Sequence, residues 1–129
     1  MRWWLLAAIF LAAGVRCTAQ APHGKHTVTV TFDYDFRLTP ACSAKVTQRC
    51  VQRFVVYDIS GGLSKRIRLF FVAVPDGGSG PVNGIGGRSP ELDFESGKHL
   101  LAVTAQSPEG VESDPYDSTT WITIPQPRP

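Results

Sequence analysis

The chain has 129 residues, enough for one ordinary domain and too few for two. Hydrophobic residues make up 43% and charged residues 19% of the chain, a composition that excludes a disordered protein. Thirteen basic and eleven acidic residues give a formal charge of +2, too small for a strongly basic nucleic-acid binder. Twelve glycines and ten prolines favour a loop-rich β protein over a helical one.

The first segment predicts export. Arg2 precedes an apolar run over residues 3–15, which is shorter than the ~20 residues a membrane-spanning helix needs. A charged start, a short apolar stretch and small residues behind it are typical of a signal peptide. We therefore expect residues 1–19 to be a leader, cleaved after Ala19 or, less favourably, after Ala21. The expected location is secreted, periplasmic or at the cell envelope, and an uncleaved membrane anchor is the alternative.

The cysteines fit this interpretation. Cys17 leaves with the leader, and Arg16 directly before it disfavours a lipid-attachment site. Cys42 and Cys50 remain, and disulfides persist in the oxidising compartments that a leader implies. A metal pair is the competing interpretation, but no further Cys or His lies nearby to complete a tetrahedral site. The sequence predicts a disulfide between Cys42 and Cys50.

Alternation with a period of two predicts a β domain over residues 27–125, between a short segment at 20–26 and a Pro-rich tail at 126–129. Six glycines between Asp76 and Pro90 predict a long loop. The expected fold is all-β, an antiparallel β-sandwich of about six or seven strands. The predicted strands are Thr27–Phe36, Val51–Ile59, Arg66–Val74, Leu92–Phe94, Leu100–Gln106 and Thr119–Ile124.

The segment from Gly97 to Pro125 resembles the last two strands of a fibronectin type III domain. Leu101, Val103 and Ala105 occupy the inward positions of the family pattern. The turn that follows matches at Gly110, Glu112 and Ser113.

Two earlier segments extend the resemblance. Residues 54–57 resemble the family's central strand, and residues 28–32 resemble its second strand, with Phe32 where a tryptophan is usual. Two departures stand against it: His99 falls where the family has the tyrosine of its tyrosine corner, and little chain is left for a first strand. The resemblance implies an immunoglobulin-like sandwich that acts as a binding or adhesion module.

Catalytic and cofactor motifs give no match. A nucleophile elbow at Ser79 fails because Pro81 stands where glycine is required. The glycine-rich stretch over 77–87 is not followed by the helix that a phosphate loop needs. Asp33 and Asp35 share a strand face, but no Asp-x-Asp-x-Asp-Gly calcium loop accompanies them. The sequence predicts neither an enzyme nor a bound cofactor or metal ion, and His23, His26 and His99 carry no motif.

Two charged clusters are candidates for contact with a partner. An acidic loop over 107–118 contains no basic residue, and such loops at the ends of sandwiches often carry recognition. A basic cluster beside the Phe70–Phe71 pair is interpreted as a solvated face that discourages edge-to-edge association. The loop residues are Glu109, Glu112, Asp114, Tyr116 and Asp117, and the basic cluster is Lys65, Arg66 and Arg68.

The sequence thus predicts an exported, non-catalytic module that binds a protein or polysaccharide and does not bind nucleic acid. Loss of the leader removes Arg2 and Arg16 and leaves eleven basic and eleven acidic residues, a neutral domain. Two alternatives stay open: a structural subunit that assembles through an open sheet edge, and a small secreted enzyme or enzyme inhibitor.

Overall fold

A computed structural model describes residues 10–17, 25–76, 80–115 and 118–125, with only the backbone described over 10–17. These residues form eight strands and one turn of 3₁₀ helix, Leu63–Lys65. The strands are β1 (Phe10–Cys17), β2 (Lys25–Asp35), β3 (Arg53–Asp58), β4 (Ile67–Ala73), β5 (Pro81–Arg88), β6 (Leu92–Asp93), β7 (Gly97–Gln106) and β8 (Thr119–Ile124).

The strands make two antiparallel sheets. The first sheet has the order β1-β2-β5, and the short β6 pairs with the start of β2. The second sheet has the order β4-β3-β7-β8. β1 contacts β8 at one side of the molecule and β4 contacts β5 at the other, so the sheets lie face to face. The predicted all-β, two-sheet architecture is confirmed, and seven of the eight strands lie outside the predicted leader.

Alternation along β2 explains why this segment is a strand. Val28, Val30 and Phe32 are at most 1% exposed, whereas Thr29 and Thr31 face solvent. Because successive side chains of a strand point to opposite faces, one face of β2 can enter the core while the other remains in water. The predicted strand at 27–36 is confirmed, with the observed bounds starting two residues earlier.

Phe54 joins the two sheets at the centre of the core. This β3 residue is fully buried, and its ring lies edge-on to Phe32 at 4.8 Å and to Tyr34 at 5.2 Å between ring centroids. Phe36 completes the cluster, with its ring 4.7 Å from Tyr34 and 6.4 Å from Phe54. Edge-to-face contacts of this kind stabilise a core beyond the burial of area alone.

The predicted loop over 76–90 is wrong, because its second half forms β5. The glycines there fit the sheet instead of interrupting it: a Cβ at Gly87 would lie 2.5 Å from a methyl group of Val72 on β4. Only glycine lets β5 pass this close to the opposite sheet. Gly84, at a φ of +71°, forms the irregularity at which the pairing of β5 with β2 shifts register.

The first strand, for which the sequence left little room, comes from within the predicted leader. β1 pairs antiparallel with β2 from Cys17 opposite His26 to Phe10 opposite Asp33. The two predicted cleavage positions, after Ala19 and after Ala21, lie outside the described residues, as does the tail at 126–129.

Cys42 and Cys50 lie at disulfide-bonding distance, with their Cα atoms 4.9 Å apart. The loop between them is closed by backbone hydrogen bonds as well: the N–H of Cys42 donates to the Val51 carbonyl, and the N–H of Val51 donates to that of Pro40. Cys50 is fully buried at the entrance to β3. The loop therefore anchors the start of the strand that carries Phe54.

Replacing Phe54 by alanine is expected to lower the free energy of unfolding by about 3–5 kcal/mol, because a ring packed between both sheets leaves a cavity. Urea denaturation measures this loss. The control is Ile67→Ala, whose side chain is 59% exposed, and it should change stability by no more than about 0.5 kcal/mol. Equal effects of the two substitutions would contradict the central place given to Phe54.

Without the predicted leader, which carries Cys17, the protein should be lighter by two hydrogen atoms before reduction than after it, because one disulfide closes the loop between Cys42 and Cys50. The double variant Cys42→Ala/Cys50→Ala is expected to lose about 2.5 kcal/mol of stability, the chain entropy of a loop this short. Intact-mass spectrometry and denaturation in urea check the two statements. Identical masses with and without reductant would refute the pairing.

Candidate functional site

Arginine side chains lie over aromatic rings on the outer face of the second sheet. The guanidinium of Arg53 is 4.0 Å from the ring centroid of Phe71, and that of Arg68 is 5.0 Å from it. Arg66 lies 5.1 Å from the ring of Tyr57 in the same way. Cations over ring faces are attracted by the ring quadrupole, so the rings help to hold these guanidinium groups in place. We call these five residues the arginine–aromatic face.

The predicted basic cluster is thus part of a larger arrangement. Arg66 and Arg68 reach the same outer face, as their spacing predicts, but the Phe70–Phe71 pair is split. Phe70 enters the core, whereas Phe71 is 42% exposed and lies beneath the guanidinium groups of Arg53 and Arg68. Arg53 was missed by the sequence analysis, since it lies fifteen residues from Arg68 and reaches the ring of Phe71 only because β3 pairs with β4. Trp121 on β8 is the register partner of Leu100 on β7, and its side chain is 62% exposed.

Glu112 holds the chain that follows β7 against the arginine–aromatic face. Its carboxylate accepts hydrogen bonds from the hydroxyls of Tyr57 and Thr104, each at 2.7 Å, and lies 4.0 Å from Arg66. Burial first, and then the hydrogen bond to Glu112, raises the pKa of Tyr57 to about 12. Tyr57 therefore stays a neutral donor at physiological pH. Val55, Tyr57, Ile59 and Ala102 form a small second core here.

The residues predicted for the acidic loop are not all at its surface. Glu112 is held as just described, and Glu109 accepts a hydrogen bond from the backbone N–H of Arg49 at 2.8 Å. That bond lowers the pKa of Glu109. Asp114 is exposed, and Tyr116 and Asp117 lie outside the described residues. Recognition by this loop stays a prediction.

A serine, an aspartate and a histidine meet at the turn after β3, which the sequence did not indicate. Asp58 accepts from the Ser60 hydroxyl at 2.6 Å and from its backbone N–H at 2.9 Å. The same carboxylate lies 2.7 Å from Nδ1 of His99 on β7. Burial by itself raises the pKa of Asp58, but the hydrogen bonds from Ser60 and His99 outweigh it and hold that pKa below its ordinary value.

The order of these groups decides what they can do. In a nucleophilic relay the histidine lies between the serine and the acid and takes the serine proton. Here the carboxylate of Asp58 lies in the middle, and the Ser60 hydroxyl accepts the N–H of Leu100 at 2.9 Å. His99 directs its other nitrogen, Nε2, at the carbonyl of Glu95, 2.7 Å away. The set ties the β3–β4 turn to β7 and to the chain before β7.

The other sequence candidates have local roles. Asp33 accepts the N–H of Gly84 in the β5 irregularity, and Asp35 forms a bidentate ion pair with Arg37. Within the described ranges, no three His, Cys, Asp or Glu residues gather to hold a metal ion. Nor does any helix among the described residues have the length and apolar character to span a membrane.

An open cleft of about 990 Å³ lies at one end of the sandwich, beside the loop closed by Cys42 and Cys50. Its lining is mainly apolar, with Phe36, Val51 and Pro75 among the contributors. Arg53 belongs to this lining as well as to the arginine–aromatic face. The cleft and the face are therefore neighbouring surfaces joined at one arginine.

The chain has no match among protein-family models, curated proteins or solved structures.

Replacing Asp58 by asparagine should lower the free energy of unfolding at pH 7 by about 1–3 kcal/mol, because a carboxylate with several donors is lost. Since the folded-state pKa of Asp58 is depressed, its contribution is complete above about pH 4 and is lost as the pH falls through the folded-state value.

Thermal unfolding from pH 2 to pH 7 checks this prediction. The difference between wild type and Asp58→Asn should shrink at the acid end of that range. Asp76→Asn, at an exposed turn, is the matched control and should follow the wild type throughout. A difference that is independent of pH would contradict the role given to the Asp58 carboxylate.

Proposed function

We propose that the chain is an exported, non-catalytic binding module of the fibronectin type III kind, which holds a protein or polysaccharide partner outside the cytoplasm or at the cell envelope. The observation that carries the binding role is the arginine–aromatic face. A contiguous exposed apolar area with a polar rim is typical of an interaction site. Here Phe71 lies directly beneath two guanidinium groups.

Several features support the family assignment. The segments that resemble the second, central and last two strands of the family are β2, β3, β7 and β8. In immunoglobulin-like sandwiches the tyrosine of the corner bonds a backbone group a few residues upstream. His99, at that position in the resemblance, directs Nε2 at the carbonyl of Glu95, four residues upstream. Histidine thus makes the contact expected of the tyrosine.

The chemistry of the face favours an acidic partner. Guanidinium groups present several fixed N–H donors, which match carboxylate or sulfate oxygens, while the rings beneath them pack against apolar or sugar surfaces. Glu112 offsets only the charge of Arg66, 4.0 Å away. Arg53 bonds the neutral side chain of Gln106, and Arg68 contacts the ring of Phe71. Two of the three arginines therefore keep their charge for a partner.

The double variant Arg53→Gln/Arg68→Gln should bind its partner at least about tenfold more weakly, which corresponds to roughly 1.4 kcal/mol. The exported protein, immobilised, is used to capture partners from native envelope and medium, and the affinity of the captured partner is then measured. Arg88→Gln, on the exposed face of the first sheet, is the control for loss of a positive charge elsewhere on the surface and should bind like the wild type.

Binding by wild type and by Arg88→Gln should also weaken as salt is added, because the contacts are ionic. Equal affinity of all three proteins would remove the arginine–aromatic face from the proposal.

A second candidate function is a structural subunit that assembles through an open sheet edge. The observation that favours it is the pairing of β1, inside the predicted leader, with β2. Removal of the leader would leave that edge of β2 without its partner. Sedimentation of the exported protein over a range of concentrations separates the two candidates. A mass that rises with concentration supports assembly, and a monomer throughout supports the binding module.

A further inference from the structure

β1 occupies a place that touches both sheets. It pairs with eight consecutive residues of β2, from His26 to Asp33, and it also contacts β8 at the end of the second sheet. Both β2 and β8 carry core side chains that are at most 4% exposed. We call the place of β1, between the edge of β2 and β8, the β2 slot. The core residues bordering it are Val28, Val30, Phe32, Ile122 and Ile124.

The backbone of β2 directs half of its polar groups into the slot. Ser89, which follows β5, donates its N–H to the carbonyl of Val28 at 2.8 Å, so the polar groups of Val28 point to the β5 side. Along an antiparallel strand these groups alternate between the two neighbours. Those of Thr29 and Thr31 therefore point to β1, where their register partners are Gly14 and Ala12.

All of β1 lies within the leader that the proposed function requires to be cleaved, so this inference rests on the export part of that proposal. Cleavage after Ala19 or Ala21 removes the covering strand and leaves a row of unpaired N–H and C=O groups above an apolar core. Such an edge is a template for another strand. We propose that the β2 slot of the processed protein binds an extended segment of another polypeptide, apolar at alternate positions, in the place of β1.

The geometry favours a single extended segment, and not a second copy of this chain, as the occupant of the β2 slot. Two copies joined antiparallel through β2 would each bring a four-stranded second sheet beneath the shared edge. Because β8 already lies beside the β1 position, the partner's second sheet would collide with it. A single extended segment has no sheet behind it and fits. Its alternation follows from the register, in which Leu11, Ala13 and Val15 stand opposite the inward residues Phe32, Val30 and Val28.

The probe for this proposal is a synthetic peptide of residues 10–17 with Cys17→Ser, added to the processed protein exported from the full-length gene. We expect saturable one-to-one binding and a thermal midpoint that rises with peptide concentration. In the peptide, Ala12→Pro removes an N–H that the register directs at Thr31, whereas Ala13→Pro removes one directed away from β2. Ala12→Pro should weaken binding at least tenfold, and Ala13→Pro by no more than about threefold.

Two protein controls complete the test. Thr29→Pro removes the donor that faces the slot and should abolish peptide binding, while Thr29→Ala keeps that donor and should bind normally. The unprocessed chain, residues 1–129 produced without export, holds β1 in place and should not bind the peptide. If Thr29→Pro does not fold, the two proline peptides still decide the question.

The outcomes separate this inference from the proposed function. Intact mass gives the N-terminus of the exported protein: a start before Phe10 overturns both cleavage and the open slot. A start at Gln20 or Pro22 with no peptide binding, or with equal binding of the two proline peptides, overturns the slot alone and leaves export standing. A dimer that forms without peptide and excludes it would show that a second copy fills the slot, which also overturns the inference.

Discussion

The contact between Phe54 and the aromatic residues of β2 is the constraint on which the fold depends. A sandwich exists only if the apolar face of one sheet is buried against that of the other. Phe54 is the residue of the second sheet that meets Phe32, Tyr34 and Phe36. Once this contact forms, β3 fixes its two neighbours, β4 and β7, by strand pairing. Arg53 and Tyr57, on the other side of β3, contribute to the arginine–aromatic face, and the paired β4 contributes Arg68 and Phe71.

The alternation that buries Phe54 inward places Val55 and Tyr57 outward, so β3 contributes to two apolar clusters at once. The outer cluster would otherwise face water. The Glu112 carboxylate lies against it and accepts hydrogen bonds from the hydroxyls of Tyr57 and Thr104. Glu112, which the sequence placed in a recognition loop, is therefore held against the second sheet by hydrogen bonds. The outer face of the second sheet thus has a small apolar cluster of its own.

Sequence reasoning succeeded where the information is local. Period-two alternation locates β2, β3, β7 and β8, and two cysteines left in a chain predicted to be exported predict their own pairing. It failed at β5, where glycines suggest a loop until Val72 of β4 is seen to leave no room for a side chain at Gly87. It could not foresee Asp58 beside His99, which are 41 residues apart, or Arg53 above Phe71. Those pairs arise from register, and register is not visible along the chain.

The predicted leader is a second segment whose structure could not be predicted from the sequence, and the reason is again physical. An apolar targeting segment and a buried edge strand are both short, apolar and free of acidic residues, so composition alone fits residues 10–17 to either role. The two-sheet architecture adds a requirement that cannot be read from composition. The second sheet has four long strands, whereas without β1 the first sheet has only β2, β5 and the two-residue β6. A core of this width needs a strand beside β2, which β1 supplies in the full-length chain and which, under our proposal, another polypeptide supplies once the predicted leader is removed.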